Sequence, residues 1–209
     1  MFLLPSSKVL ATVERDYPEW HRGRQQFALW YLEIQDKSLL NYLYQLREYF
    51  NDLLFTPNTR QFHITLFVCG FFTQEKSCLD DDFPYENLKK QLMTLSYLEL
   101  PAFQLKTGKI NSFTSALFVE IDDQMQMLTY IRKALKQHSL EIAALEYCPH
   151  ITLGLYKAEI ESDVIFQRID SLDQKNFSVE VHQLSFGYYQ AETLQGPLYP
   201  LIQFPLGEA

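Results

Sequence analysis

The tetrapeptide His-Ile-Thr-Leu occurs twice in this chain, at 63–66 and at 150–153. A Glu-Ile pair also recurs, at 33–34 and 120–121, and both recurrences lie 87 residues apart. The stretches that end in Glu-Ile, ALWYLEI and SALFVEI, are alike as well. Two unrelated features sharing one offset argue for an internal duplication. An offset of 87 is far longer than a solenoid repeat, so two similar lobes are expected, about 27–113 and 114–209, within one compact domain. Residues 1–26, mixed and polar with Pro5, Pro18 and Gly23, read as an irregular lead-in.

Hydrophobic patterning fills in each lobe. Residues 27–34 (FALWYLEI) and 62–72 (FHITLFVCGFF) have the apolar and aromatic content of buried strands. Between them a helix is expected over 39–50, capped by Ser38, and then a turn at Pro57, Asn58 and Thr59. A second helix is expected from Pro84 to about Leu95, followed by a strand over 102–110. The order then recurs, with strands at 115–121 and 149–156 around a helix at 124–138. A helix at 161–172 and strands at 177–189 and 198–206 complete the chain.

Side chains alternate between the faces of a strand. His63 and Thr65 therefore share one face, with Ile64 and Leu66 on the other, and His150 and Thr152 stand likewise against Ile151 and Leu153. A single His on a half-buried strand is more often structural than catalytic. Core packing explains the Ile and Leu, but it does not explain the same His and Thr on the opposite face twice. If a pseudo-twofold axis relates the lobes, two imidazoles and two hydroxyls converge on one small volume. That set suits displacement at phosphorus. One imidazole takes a proton from the entering oxygen, and the other protonates the leaving oxygen. The hydroxyls donate to non-bridging oxygens as charge develops.

Counting on by twos puts Phe67 and Cys69 on the His63 face, and Gly154 and Tyr156 on the His150 face. Tyr156 and Phe67 are candidates to stack on a base, and equally candidates for packed aromatics. Among the cations, Arg60 and Arg24 are preferred for phosphate over Arg22, Lys106, Lys109 and Lys157. His63 and His150 have no nearby acidic ligand and form no HxH or HxxxH pair, so no metal is expected. No organic cofactor is expected either.

The formal net charge of −8 repels a long polyanion, which argues against broad grip on DNA or RNA while allowing a local positive pocket. The three cysteines, Cys69, Cys78 and Cys148, match no disulfide framework or zinc spacing. No run reaches the roughly 20 apolar residues that span a bilayer, and MFLLPSSK does not look like a signal peptide. A cytoplasmic monomer without membrane contact is expected.

The two boxes, as FHITLFVCGF and PHITLGLY, resemble the 2H phosphoesterase superfamily. That superfamily includes the bacterial 2′-5′ RNA ligase-like proteins and the cyclic nucleotide phosphodiesterases. The opening QQFALWYLEI and closing PLYPLIQFPL are similar to the family's first and last strands, so the resemblance covers about 26–206. It implies an α+β, bilobal pseudo-twofold fold, with two antiparallel sheets around a central cleft and helices outside. It implies His63, Thr65, His150 and Thr152 as a metal-independent catalytic set. The partner implied is a small nucleotide or short RNA end with a cyclic or 2′-linked phosphate, which is opened, cleaved or ligated. A nucleotide- or RNA-binding protein without turnover is the alternative.

Overall fold

Ile64, Leu66, Ile151 and Leu153 are fully buried in the computed structural model, which describes residues 1–75, 77–142 and 146–207. Burying each such side chain stabilises the fold by about 1.5–3 kcal/mol. The apolar half of each box therefore anchors its strand, and a one-residue slip would drive an imidazole into the core.

The chain forms α1 (Pro18–His21), β1 (Gln26–Glu33), α2 (Lys37–Tyr49), β2 (His63–Thr73), β3 (Asp82–Pro84), α3 (Tyr85–Tyr97) and β4 (Phe103–Ser112). The second half forms β5 (Ala116–Asp122), α4 (Met127–Lys136), β6 (His150–Leu155), α5 (Ser162–Asp170), β7 (Ser178–Val181), β8 (Gln183–Gln190) and β9 (Tyr199–Pro205). The strands run in the order β7-β4-β5-β6-β2-β1-β8-β9 and are antiparallel, with β3 added parallel to β2. Two antiparallel half-sheets are thus joined edge to edge, at β6 and β2, through the single pair Ile64 and Ile151. The structure is the α+β arrangement expected. The third long strand of each repeat crosses over: β4 pairs with β5, and β8 pairs with β1.

Helices cover the apolar side. Leu39, Leu43 and Leu46 of α2, Leu88 and Leu95 of α3, and Leu128, Ile131 and Leu135 of α4 join one core with Trp30 and the box residues. Helix α2 starts at Lys37, earlier than Ser38 capping predicts, because the Asp36 carboxylate accepts the Leu39 N–H at 2.7 Å. A carboxylate is a strong N-cap, and here it comes two residues sooner than the serine. The first 25 residues are irregular apart from α1, and they are tied to the half-sheet of β4, β5 and β6. Leu3, Leu10 and Thr12 donate to the carbonyls of Ser112, Thr114 and Tyr156. No helix among the described residues is long and apolar enough to cross a membrane.

Candidate active site

Both boxes end in a β-bulge. Along β1, Tyr31 faces Thr65 and Trp30 faces Phe67, so Leu66 is the extra residue. Along β5, Phe118 faces Thr152 and Leu117 faces Gly154, so Leu153 is the extra residue. The duplication offset therefore holds for a backbone irregularity as well as for side chains. A bulge resets the alternation beyond it. Phe67 and Tyr156 accordingly turn into the core, where they are 1% and 0% exposed. Their sequence-based reading as base-stacking groups is corrected here, because a fully buried ring presents no face to a ligand. Tyr156 instead places its hydroxyl 2.6 Å from that of Ser112. Leu155 takes the cleft-facing position.

The two imidazoles are held alike. His63 Nδ1 donates to the Gln61 carbonyl at 2.8 Å, and His150 Nδ1 donates to the Cys148 carbonyl at 2.7 Å. A carbonyl only accepts, so Nδ1 carries the hydrogen in both rings and Nε2 is left for a ligand. Tyr31 meets His63 edge-on at 5.9 Å between ring centroids. Phe113 and Phe118 do the same to His150, at 5.0 and 5.1 Å. The repeated glutamates stand cross-strand from the histidines, Glu33 opposite His63 and Glu120 opposite His150. Burial pushes His63 down to about 4, aided by the positive charge of Arg60 and by His150. Burial also lowers His150, against the opposing pull of its Cys148 hydrogen bond.

His63, Thr65 and Thr152 open onto a cavity of about 370 Å³. Arg47 and Arg60 also line it, as does Arg15, whose charge is paired with Glu19, and Glu192 is the sole acidic residue of the lining. A positive pocket thus sits in a chain of net charge −8. His150 lies just outside this lining, two residues along the same strand face from Thr152. Arg60 lines the cavity together with His63. Its Nε donates to the Gly196 carbonyl at 2.8 Å, and its guanidinium lies 4.1 Å above the Tyr189 ring. Arg24 is elsewhere. It clasps Asp81 and Asp82 and stacks on Phe71, so its charge is already neutralised and its selection as a phosphate ligand is corrected.

Sequence reasoning missed Arg47 and Gln195, both of which line the cavity. Arg47 had a readable signal, since it follows the buried Leu43 by four residues and so falls on the core side of α2. Its Nε donates to the Leu153 carbonyl at 2.9 Å, the carbonyl of the bulge residue. A Cβ at Gly154 would stand 3.1 Å from Leu54 Cδ1, so the strand just beyond the bulge packs closely against Leu54. Cys69 is buried with its thiol pushed up by desolvation, which makes it inert. Among the described residues no group of three His, Cys, Asp or Glu side chains could hold a metal ion.

A curled antiparallel sheet presenting two matched His-x-Thr strands defines the 2H phosphoesterase class of proteins. The sequence profile of the 2′-5′ RNA ligase superfamily matches residues 36–193, and the chain belongs to that superfamily. No curated protein matches the chain by sequence. Among solved structures, E. coli LigT complexed with 3′-AMP is similar with a TM-score of 0.61 and 16% identity, over 88% of this chain and 99% of that one. TT0787 of Thermus thermophilus gives 0.55 and 16%, over 88% and 100%. Kluyveromyces marxianus Usb1 with uridine monophosphate gives 0.52 and 14%, over 86% and 98%. At these identities the likeness is one of fold.

Proposed function

We propose that the chain is a metal-independent phosphoesterase that opens a 2′,3′-cyclic nucleotide phosphate, or cleaves a 2′-linked one, with His63 and His150 as its acid–base pair. The observation that carries this reading is the matched pair of imidazoles, each with Nδ1 engaged by the carbonyl two residues before it and Nε2 left open. In the ring-opening direction His63, held neutral by burial and by Arg60, takes a proton from water as its oxygen attacks phosphorus. His150, charged once the phosphoryl group is bound beside it, gives a proton to the ribose oxygen as the P–O bond breaks. Thr65 and Thr152 donate to the non-bridging oxygens. Ligation is the same path run backwards, with the two imidazoles exchanging roles. The LigT and Usb1 structures with nucleotides bound support a small nucleotide as the occupant of the cleft.

The test is turnover of 2′,3′-cyclic mononucleotides and 2′-5′-linked dinucleotides with chelator present, products being separated by chromatography. The intact protein should turn over at least one of them, and His63→Ala and His150→Ala should each abolish it. Turnover that disappears on chelation, or that survives both substitutions, would overturn the mechanism. Tight nucleotide binding with no turnover of any substrate would make the chain a binding module.

A further inference from the structure

The duplication is broken at one charge, and the break faces the cavity. In the second repeat, Arg132 of α4 donates to the carbonyl of Leu66, the bulge residue of the first box, and lies 3.7 Å above the Tyr147 ring. In the first repeat, Arg47 of α2 donates to the carbonyl of Leu153, the bulge residue of the second box, and lies 4.0 Å above the Phe62 ring. Each repeat thus sends an arginine across to the other's bulge. Arg132 is neutralised there, because both of its terminal nitrogens reach the Glu141 carboxylate, at 3.0 and 2.5 Å. Glu141 also accepts the Val68 N–H at 3.3 Å.

The matching place beside Arg47 holds no carboxylate. The two arginines, like Phe62 and Tyr147, lie 85 residues apart, and the residue 85 before Glu141 is Thr56, which carries no charge. The N–H equivalent to that of Val68 belongs to Leu155, and it donates at 3.1 Å to the side-chain oxygen of Gln195, a neutral amide. Arg47 is therefore left half-buried with no acidic partner among the described residues, its Nε occupied and its terminal nitrogens free. Arg60 is in the same condition on the same wall. Burial lowers the proton affinity of both guanidiniums. Uncompensated buried charge is costly, and a ligand anion would relieve it.

A group near the pseudo-twofold axis stands in like relation to Arg47 and Arg132, whereas the Glu141 carboxylate belongs to one side only. Its counterpart beside Arg47 opens onto the cavity, which Arg47 and Arg60 line and Arg132 does not. A cavity of about 370 Å³ is of nucleotide size. We infer that Arg47 and Arg60 form a second phosphate subsite that takes the 5′-phosphoryl group of the nucleoside whose 2′,3′-phosphate reacts. The inference rests on the proposed function and narrows it: the preferred substrate is the 5′-linked end of a short RNA rather than a free cyclic mononucleotide.

The test is equilibrium binding of adenosine 3′,5′-bisphosphate against 3′-AMP, by calorimetry, which needs no turnover. The intact protein should bind the bisphosphate at least tenfold more tightly. Arg47→Gln and Arg60→Gln should bring the ratio close to one, and Gln195→Glu, which restores the carboxylate found beside Arg132, should do so as well. The preference should persist in His63→Ala, so loss of catalysis and loss of the subsite are read separately. Equal binding of the two ligands by the intact protein would overturn the subsite, with no variant required. Arg47→Gln and Arg60→Gln weakening both ligands alike would overturn it too, by assigning the guanidiniums to the reacting phosphate.

Discussion

The hydroxyls of Tyr156, just past the end of β6, and Ser112, the last residue of β4, lie 2.6 Å apart inside the core. The Ser112 hydroxyl also reaches the Phe113 carbonyl at 2.7 Å, so the pair forms a short closed network. Tyr156→Phe removes one member and leaves the packing intact. It should destabilise the protein by about 1 kcal/mol, read as a lower Tm, with kcat and KM unchanged. A raised KM at unchanged Tm would return Tyr156 to the ligand.

Arg24 provides the matching control on the first half-sheet. It spans Asp81 and Asp82 and covers the Phe71 ring. Arg24→Met should cost about 2 kcal/mol in chemical denaturation, the scale of charge-assisted hydrogen bonds, and leave kcat/KM within about twofold. A loss of phosphate affinity without loss of stability would contradict this placement.

The threonines should behave differently from either. Thr65→Val and Thr152→Val keep the shape and remove the donor. Each should lower kcat by about 10²-fold, the scale of one lost transition-state donor, with little change in KM. Steady-state kinetics on a cyclic mononucleotide separates the two constants, and an effect on KM alone would make the hydroxyls binding groups.

The pH dependence follows from the lowered proton affinity of His63. A base is active when neutral, and burial, Arg60 and His150 together hold His63 to about 4, so the acid limb of kcat/KM should lie well below the ordinary range of histidine. Arg60→Gln removes a nearby positive charge, so the imidazole should take up its proton more readily. The acid limb should then move to higher pH, whatever happens to the height of the profile. A pH–rate series on both proteins checks the sign, and a limb moving to lower pH would exclude His63 as the base.

The residues of the candidate site were legible where the signal was local. His63, Thr65, His150 and Thr152 could be paired from alternation and from one shared offset, because both patterns live within a few residues of each strand. Phe67 and Tyr156 were misplaced because a bulge depends on which partner strand lies alongside, and Leu66 and Leu153 look like ordinary strand residues in sequence. Arg24 and Arg60 were indistinguishable as letters, and only the aspartates that fold back onto Arg24 separate them. The crossing of β4 and β8 between the half-sheets was hidden for the same reason, since hydrophobic pattern identifies a strand and not its neighbour.

Because β4 and β8 cross over, a single repeat could complete this sheet only by pairing with a second copy of itself, as a swapped homodimer. Identical subunits in such a dimer would carry Glu141 on both sides or on neither. Covalent joining frees the halves to differ, so one arginine keeps its internal counterion while the other stays bare toward the cavity. It also sets the two histidines at an effective concentration that dilution cannot lower. A directional binding surface within a symmetric scaffold is thus something that fusion permits and that assembly from equal parts forbids.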